Sequence, residues 1–295
     1  MTLRPPQPVM TTQHFPELHR ELIVLLRGLA AEDWQRPTTA GAWLVRDVVA
    51  HLVQGDLGVL SQRRDRYPRP EPVPRFREFE DIVATIDRTN AEWVRVARSL
   101  SPQLMIELLE FTGPQVTEHF SGLDPLDPAQ CAVAWAGQKT SPNWLDTGRE
   151  FTERWHHQAQ IRAAVGALPI TSERLLAPMV AVSAWALPHA LAEEDAATDT
   201  VVTLRVTGQA GGAWSAVSDE GVWSLREGAP DPPESPTATL TLEDAFAWRM
   251  WFGAANPGEL AQHVRHAGNA RLALAALRMR AVMMRDAGAA GEPSV

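Results

Sequence analysis

The sequence predicts an α+β fold, in which a four-helix bundle is followed by a small α+β domain with an antiparallel sheet. Up to about residue 193, apolar residues recur at helical spacing in long segments that Pro, Gly and Thr breaks separate. From residue 199 onwards, short segments alternate apolar and polar residues between glycine-containing turns, which is typical of antiparallel strands. The change falls in the polar stretch 194–199, so we predict domains at 1–195 and 196–295.

The helical part divides into segments at positions that cannot continue a helix. A Pro/Thr/Gly break lies before Trp43, and a proline-rich stretch at 67–76 reads as a loop because proline lacks the amide donor. We also expect a break at Gly113–Pro114, and Gly166 ends the long helix that follows Asn143. The predicted helices cover residues 12–30, 43–65, 76–99, 102–120, 144–165 and 171–193.

The C-terminal part contains four predicted strands, and the first three are joined by short Gly-Gly and Asp-Glu-Gly turns. This spacing predicts an antiparallel meander. A helix is predicted after the fourth strand, and a closing helix after the Gly268–Asn269 turn. The predicted strands cover residues 201–208, 212–219, 221–228 and 236–242, and the helices cover 243–252 and 270–286.

The composition argues against several kinds of partner and cellular environment. The chain has 36 acidic and 27 basic residues, a formal net charge of −9, and no sustained basic stripe, which argues against a nucleic-acid partner. Its single cysteine, Cys131, cannot form an intramolecular disulfide, so no oxidising compartment is required. The N-terminus lacks an apolar signal core, and no apolar run reaches the roughly 20 residues of a membrane span. We expect a cytoplasmic monomer or homodimer without a membrane partner.

Three residues on two predicted helices have the side chains of a catalytic zinc site, which uses imidazoles and a carboxylate and leaves a fourth position open. Glu153 and His157 are four residues apart, so their side chains lie on one helical face, about 5–6 Å apart at Cβ. His51 lies on the apolar side of an earlier helix. Bundle cores assemble such sites from facing helices. These residue types suit one metal bound by His51, Glu153 and His157 if the two helices face each other.

Residue types alone leave other interpretations open. A Glu and a His four apart also occur as a solvated ion pair, and a histidine on an apolar stripe is often a hydrogen-bonded core residue. His156 lies at i+3 from Glu153, and Glu-x-x-His is half of a di-iron motif. A second copy is missing, because Glu118–His119 lacks the spacing. Asp47, one turn before the first histidine, either orients that ring or is an exposed carboxylate at a helix start.

Two longer stretches surround these residues. PTTAGAWLVRDVVAHLVQGD, residues 37–56, contains a Trp-x-Val-x-Asp-Val-Val-x-His-Leu run, and REFTERWHHQAQIRAAVG, residues 149–166, contains Glu-x-x-x-His. Both resemble the two metal segments of the DinB-like, mycothiol-dependent maleylpyruvate isomerase family. This resemblance implies a DinB-like bundle with His51, Glu153 and His157 as metal ligands, and it favours His157 over His156. The C-terminal strands and helices resemble the small sterol-carrier-like domain that follows the bundle in that family.

The resemblance implies a divalent metal and a low-molecular-weight thiol cosubstrate. Zinc suits two imidazoles and one carboxylate best, although nickel or iron accepts similar ligands. The thiol is mycothiol in the family, and bacillithiol or glutathione in related bundles. Metal coordination deprotonates a thiol whose free pKa is about 8.5, and the thiolate can add to an electrophilic carbon. The implied function is that of a transferase or isomerase with a small electrophile as its second partner.

Two positions depart from the family pattern. Gln160 stands where many relatives have an Asp three residues after the second metal histidine; it can hydrogen-bond but carries no charge. The isomerases have an arginine after a Trp-x-x-Gly run, which would pair with substrate carboxylates. Here the run Met250–Gly253 is followed by Ala254, and Arg249 lies earlier. A dicarboxylate substrate is therefore not expected.

Two alternative functions follow from the same residues. One is a metal-dependent hydrolase that uses metal-bound water, as other open zinc sites do. The other is a non-catalytic protein that keeps the bundle and binds a small apolar ligand in the C-terminal domain. Metal content and the response to thiols distinguish these alternatives from the thiol-dependent enzyme.

Overall fold

The structure, a computed structural model, describes residues 3–68, 79–231 and 235–284. The proline-rich loop predicted at 67–76 falls largely outside these ranges. The chain forms two compact units, which divide it within a long helix rather than at a linker, and the predicted domain limits stay a prediction. Over the described residues, the bundle unit comprises residues 12–68, 79–124, 157–169 and 283–284, and the sheet unit comprises residues 3–11, 125–156, 170–231 and 235–282.

The described residues of the bundle unit form four α-helices and the C-terminal part of a fifth. Helix starts follow local signals: Pro16 occupies the first turn of the first helix, where its missing amide hydrogen costs nothing, and the hydroxyl of Ser101 accepts the amide hydrogen of Leu104 at 3.2 Å. The second helix continues into a π-helical turn, Val59–Arg64. The five predicted helices are confirmed as α1 (Phe15–Arg27), α2 (Val45–Gly58), α3 (Phe79–Ala97), α4 (Pro102–Ser121) and α5 (Asn143–Val165).

One apolar core fills the bundle unit, and α2 supplies more of its residues than any other helix. A buried aliphatic side chain contributes about 1.5–3 kcal/mol relative to an exposed one, so a helix with four fully buried valines is firmly held. The indole nitrogen of Trp93 also donates to the carbonyl of Ala50 at 2.7 Å, which ties α3 to α2. The core comprises Leu22, Leu26, Trp34, Val45, Val48, Val49, Ala50, Leu52, Val53, Ala97, Met105, Ile106, Leu109 and Ile161.

The break predicted at Gly113–Pro114 is wrong, because α4 continues through both residues to Ser121. Proline removes one helical hydrogen bond, but tertiary packing outweighs that local preference here. The ring of His19 on α1 lies directly over Gly113, where an added Cβ would be 2.3 Å from the ring. The glycine therefore permits a close approach of α1 to α4 and does not end the helix.

The sheet unit contains a five-stranded sheet and several helices. The strands are β1 (Val201–Thr207), β2 (Gly212–Asp219), β3 (Val222–Glu227), β4 (Ala238–Glu243) and β5 (Arg265–Gly268). The helices are α6 (Glu173–Ser183), α7 (Leu187–Ala190), α8 (Asp244–Trp251), α9 (Pro257–His263) and α10 (Ala270–Leu277). The strand order is β3-β2-β1-β4-β5. Helices α8 and α10 pack on β1 and β4, and α7 packs on β2 and β3.

The strand pairing confirms the predicted meander for β1, β2 and β3, which are antiparallel neighbours. The fourth strand differs, because β4 pairs parallel to β1, with Val202 opposite Ala238. Alternation of apolar residues predicts a strand but carries no information on its direction. The exposed edge strand β5, antiparallel to β4, was not predicted, since its four residues are all solvent-exposed and show no apolar alternation.

Two predicted helices are shorter than expected. The segment 171–193 forms α6, a 3₁₀ turn and the short α7. The closing helix ends at Leu277 instead of near residue 286, because the chain turns back and the amide of Ala281 donates to the carbonyl of Trp251 at 3.0 Å. Among the described helices, none combines the length and apolar character that a membrane span requires.

A buried carboxylate joins α2 to α4. Asp56 is 3% exposed, and the Thr112 hydroxyl, on a residue that is 1% exposed, donates to its Oδ2 at 2.6 Å. A buried carboxylate without such a donor would carry an uncompensated desolvation cost.

We expect Thr112→Val to lower the free energy of unfolding by about 1–3 kcal/mol, because it removes a donor to a buried charged group at nearly constant volume. Urea unfolding followed by circular dichroism measures the change. Thr117→Val is the matched control, since the Thr117 hydroxyl donates only to the Gly113 carbonyl of its own helix. Equal effects of the two substitutions would contradict the role of the link to Asp56.

Candidate metal centre

The loop before α2 fixes the position of the Trp43 ring. Gly41 adopts a positive φ of 63°, and Thr38 closes the loop by donating to the Trp43 carbonyl from its amide at 3.0 Å and from its hydroxyl at 2.8 Å. The Trp43 ring then lies 5.2 Å from the His51 ring, measured between centroids. The Pro/Thr/Gly stretch is therefore a compact turn that places an aromatic wall beside the first candidate ligand.

Asp47 anchors the start of α2 and does not orient the His51 ring. Its Oδ2 accepts the amide hydrogen of Leu44 at 3.2 Å, as in a capping box, and forms an ion pair with Arg98 Nη2 at 3.2 Å. The carboxylate is 1% exposed, so neither interpretation made from the sequence is right. Both missed that Arg98, which follows α3, reaches this carboxylate.

Helix α5 carries a cluster of compensated charges one turn before the other two candidate ligands. Arg149 donates to Asp146 at 2.8 Å and to Glu150 at 2.6 Å, and Glu150 also pairs with Arg154 at 2.6 Å. Burial lowers the pKa of Arg149, but the carboxylates of Glu150, Asp146 and Glu153 outweigh it and hold this pKa above its ordinary value. Arg149 is therefore a permanent cation on the polar face of α5.

The three predicted ligands come together. One donor atom from each of His51, Glu153 and His157 lies within 4.8 Å of the others. The two imidazole rings meet edge to face, 4.9 Å apart between centroids, and His157 is buried while the other two are partly exposed. No other set of three His, Cys, Asp or Glu side chains in the described ranges comes this close. Ligation of a metal by these residues remains a prediction.

Each of the two histidines faces a glutamine three residues later on its own helix. His157 Nδ1 lies 2.8 Å from Gln160 Oε1, and His51 Nδ1 lies 3.4 Å from Gln54 Oε1. The sequence pointed to Gln160 only as a departure from a family pattern, and Gln54 was missed. The signal was present, because His-x-x-Gln occurs in both metal segments.

His156 is occupied by other contacts. Its Nδ1 lies 3.0 Å from the carbonyl oxygen of Thr152, and its ring stacks on Phe252 with centroids 4.4 Å apart and planes 4° apart. His156 Nδ1 lies 4.0 Å from Glu153 Oε2, and His156 is not among the three clustered side chains. The choice of His157 over His156 as a ligand stays a prediction.

The run Met250–Gly253 therefore packs on α5 through Phe252. Ala254, which follows it, places no cation there, and the nearby Arg249 has a structural role. Its Nη2 donates to Glu259 at 2.6 Å and to the Ala254 carbonyl at 3.2 Å, while Glu259 and Asn256 form the capping box of α9. Arg249 does not stand in for the arginine that the family pattern leads one to expect.

Comparisons with known proteins agree with this architecture. Two solved structures, the mycothiol-dependent maleylpyruvate isomerase and a mutant of it, are similar with TM-scores of 0.51 and 0.50. Each is 12% identical and covers 87% of this chain and 92% of its own. At this identity the likeness shows the fold alone, and it confirms the predicted α+β fold. Among curated proteins, none matches the chain in sequence.

A weak structural similarity is found for the C-terminal part. The apo form of sterol carrier protein 2 from Yarrowia lipolytica is 21% identical and covers 32% of this chain and 70% of its own, with a TM-score of 0.22. That score is too low to support an argument, so the sterol-carrier-like character of this part remains a prediction.

The N-terminal half of the chain also matches a protein family in sequence. The profile of the family "Mycothiol maleylpyruvate isomerase N-terminal domain" matches residues 15–162, which is half of the chain. The match begins with α1 and extends past Gln160 on α5, so it contains all three clustered side chains. The chain belongs to the mycothiol maleylpyruvate isomerase N-terminal domain family.

Proposed function

We propose that the protein is a metal-dependent isomerase or transferase that uses a low-molecular-weight thiol and acts on a small electrophile. The observation that carries the proposal is the convergence of His51, Glu153 and His157, whose donor atoms lie within 4.8 Å of one another. Membership of a family named for a mycothiol-dependent isomerase supports the thiol and the reaction class.

The side chains present fit one divalent ion. Two imidazoles and a carboxylate around zinc would place neighbouring donors about 3.4 Å apart at ordinary bond lengths, so a small contraction of the cluster suffices. Three protein ligands leave a fourth position for a substrate atom, as in other catalytic zinc sites. Zinc is the first choice for this donor set, with nickel or iron as alternatives. A bound ion would supply the charge that keeps a thiol deprotonated at neutral pH.

The chain's own residues shape the place where the thiol would react. His157 is buried, and the Trp43 ring flanks the partly exposed His51, so the two imidazoles differ in their access to water. A thiolate that adds to one carbon of an activated double bond turns it into a single bond, which can rotate. Expulsion of the same thiolate restores the double bond in the other geometry, without a net change in protons or electrons. If another group leaves instead, the reaction is a transfer.

The residue at position 254 and the ion pairs of Arg249 and Arg149 favour an electrophile without two carboxylates. Ala254 stands where the family pattern has an arginine, Arg249 pairs with Glu259, and Arg149 pairs with Asp146 and Glu150. A carboxylate group of a substrate would have to compete with these resident partners for a guanidinium.

Metal content tests the site directly. We expect protein purified without added metal to contain about one equivalent of a divalent ion by elemental analysis. His51→Ala and His157→Ala should each reduce this content at least about tenfold, because each removes one of three ligands.

His156→Gln is the matched control, because His156 lies next to His157 but bonds to a backbone carbonyl and stacks on Phe252. It should leave the metal content unchanged. Folded wild-type protein without metal, which also takes up none on dialysis against zinc, would contradict the proposal.

Thiol binding tests the reaction class. After cobalt substitution, addition of mycothiol should produce a thiolate-to-metal charge-transfer band, and Glu153→Gln should weaken or abolish it. The measurement belongs in a Cys131→Ser background, because the exposed Cys131 could react with added thiols or bind cobalt itself. Absence of the band with mycothiol, bacillithiol and glutathione alike would rule out the thiol and favour hydrolysis or ligand binding.

The charge of the electrophile can be tested with two compounds that share one double bond. We expect thiol-dependent cis–trans isomerisation of dimethyl maleate to have a higher kcat/KM than that of maleate, relative to the uncatalysed rates. Nuclear magnetic resonance of the fumarate products measures both, and the His51→Ala protein gives the background. Faster turnover of maleate would show that a cation in the site accepts carboxylates.

A further inference from the structure

We propose that Gln54 and Gln160 are positioning residues that hold both candidate metal histidines as the Nδ1–H tautomer and keep the centre free of a second negative charge. This inference rests on the proposed function, because it concerns how the same site holds its metal and selects an anionic thiolate. Neither glutamine touches the reacting atoms in this role, since each acts through one imidazole.

The stronger of the two contacts is made by Gln160. It is 3% exposed, and its Oε1 lies 2.8 Å from His157 Nδ1, which is an ordinary hydrogen-bond length. An amide oxygen can only accept, so this contact requires the proton on Nδ1 and leaves the lone pair on Nε2. Ligating histidines commonly donate their other ring nitrogen to such an acceptor, which fixes both tautomer and ring orientation.

Gln54 repeats the arrangement on the other helix. Its Oε1 faces His51 Nδ1 at 3.4 Å, also from three residues further along the helix. At this length the hydrogen bond is weaker than that of Gln160. The same acceptor therefore stands behind both imidazoles, with a graded strength that an experiment can detect.

The choice of an amide over a carboxylate sets the charge of the centre. A divalent ion with two neutral imidazoles and the Glu153 carboxylate keeps one positive charge, which a single thiolate neutralises. A carboxylate at position 160 would cancel that charge before the thiolate binds. Gln160 thus supplies the hydrogen bond without the competing charge, and the neutral amide favours an anionic fourth ligand.

Zinc affinity, measured by competition with a chromophoric chelator, tests the positioning role. We expect Gln160→Ala to raise the zinc dissociation constant about 10–100-fold and Gln54→Ala to raise it by a smaller factor, because an outer hydrogen bond of a ligating histidine is lost. Gln103→Ala is the control, since Gln103 is an exposed glutamine that bonds to Glu107 on its own helix. It should leave zinc binding unchanged.

Gln160→Glu separates the charge from the hydrogen bond. The glutamate retains an acceptor for His157 Nδ1, so zinc should bind at least as tightly as in the wild type. The dissociation constant of the thiol, read from the charge-transfer band of the cobalt protein, should rise about tenfold because of the added negative charge. A merely structural role for Gln160 would not produce this opposite effect on metal and thiol.

The outcomes distinguish the two proposals. Wild-type protein that binds neither zinc nor cobalt overturns the proposed function. Wild-type protein that binds zinc while Gln160→Ala binds it equally well overturns the positioning role alone. Tight zinc binding by Gln160→Glu with unchanged thiol affinity overturns the charge argument. The thermal midpoint of each metal-free variant, compared with that of Gln103→Ala, shows whether a loss of affinity comes from unfolding.

Discussion

Helix α5 carries charged side chains through a largely buried environment, where an unpaired charge is destabilising. The candidate site depends on the ion pairs that offset this desolvation cost. Removing one partner of a buried ion pair typically costs about 3–5 kcal/mol, because an uncompensated charge remains. On α5 the guanidinium of Arg149 lies between the carboxylates of Asp146 and Glu150, all within two turns of one another. This local compensation allows an unbroken helix to bring Glu153 and His157 to the site on the same face.

Helix α2, in contrast to α5, is held mainly by apolar packing. Its centre is apolar and fully packed, and its two buried carboxylates lie on either side of His51. Asp47 is neutralised by Arg98, and Asp56 accepts the hydroxyl hydrogen of Thr112. Each bond ties α2 to a different part of the bundle unit. The position of His51 is thus fixed from both sides by residues that have no part in metal binding.

Much of the fold and the pairing of Glu153 with His157 could be predicted, because both depend on local periodicity and on spacing within one helix. The assignment of His51 to the same site rested on the resemblance to the family, since His51 lies on a different helix. Glu153 and His157 share a face by helical geometry alone, and the change from helical to strand spacing places the sheet. The errors concern contacts between distant residues. The close approach of His19 over Gly113 keeps α4 continuous, and the pairing of β4 with β1 fixes a direction that alternation does not encode.

The bundle unit is discontinuous in the chain, and this limits how the protein can be divided. A fragment that ends at Asp124 keeps His51 and most of the bundle core but loses the other two clustered side chains and Gln160. A cut within α5 between Glu153 and His157 would separate two of the three clustered side chains. The candidate centre therefore requires the chain from α2 to the end of α5, and recombination with a different C-terminal domain preserves it only if the crossover follows the end of α5.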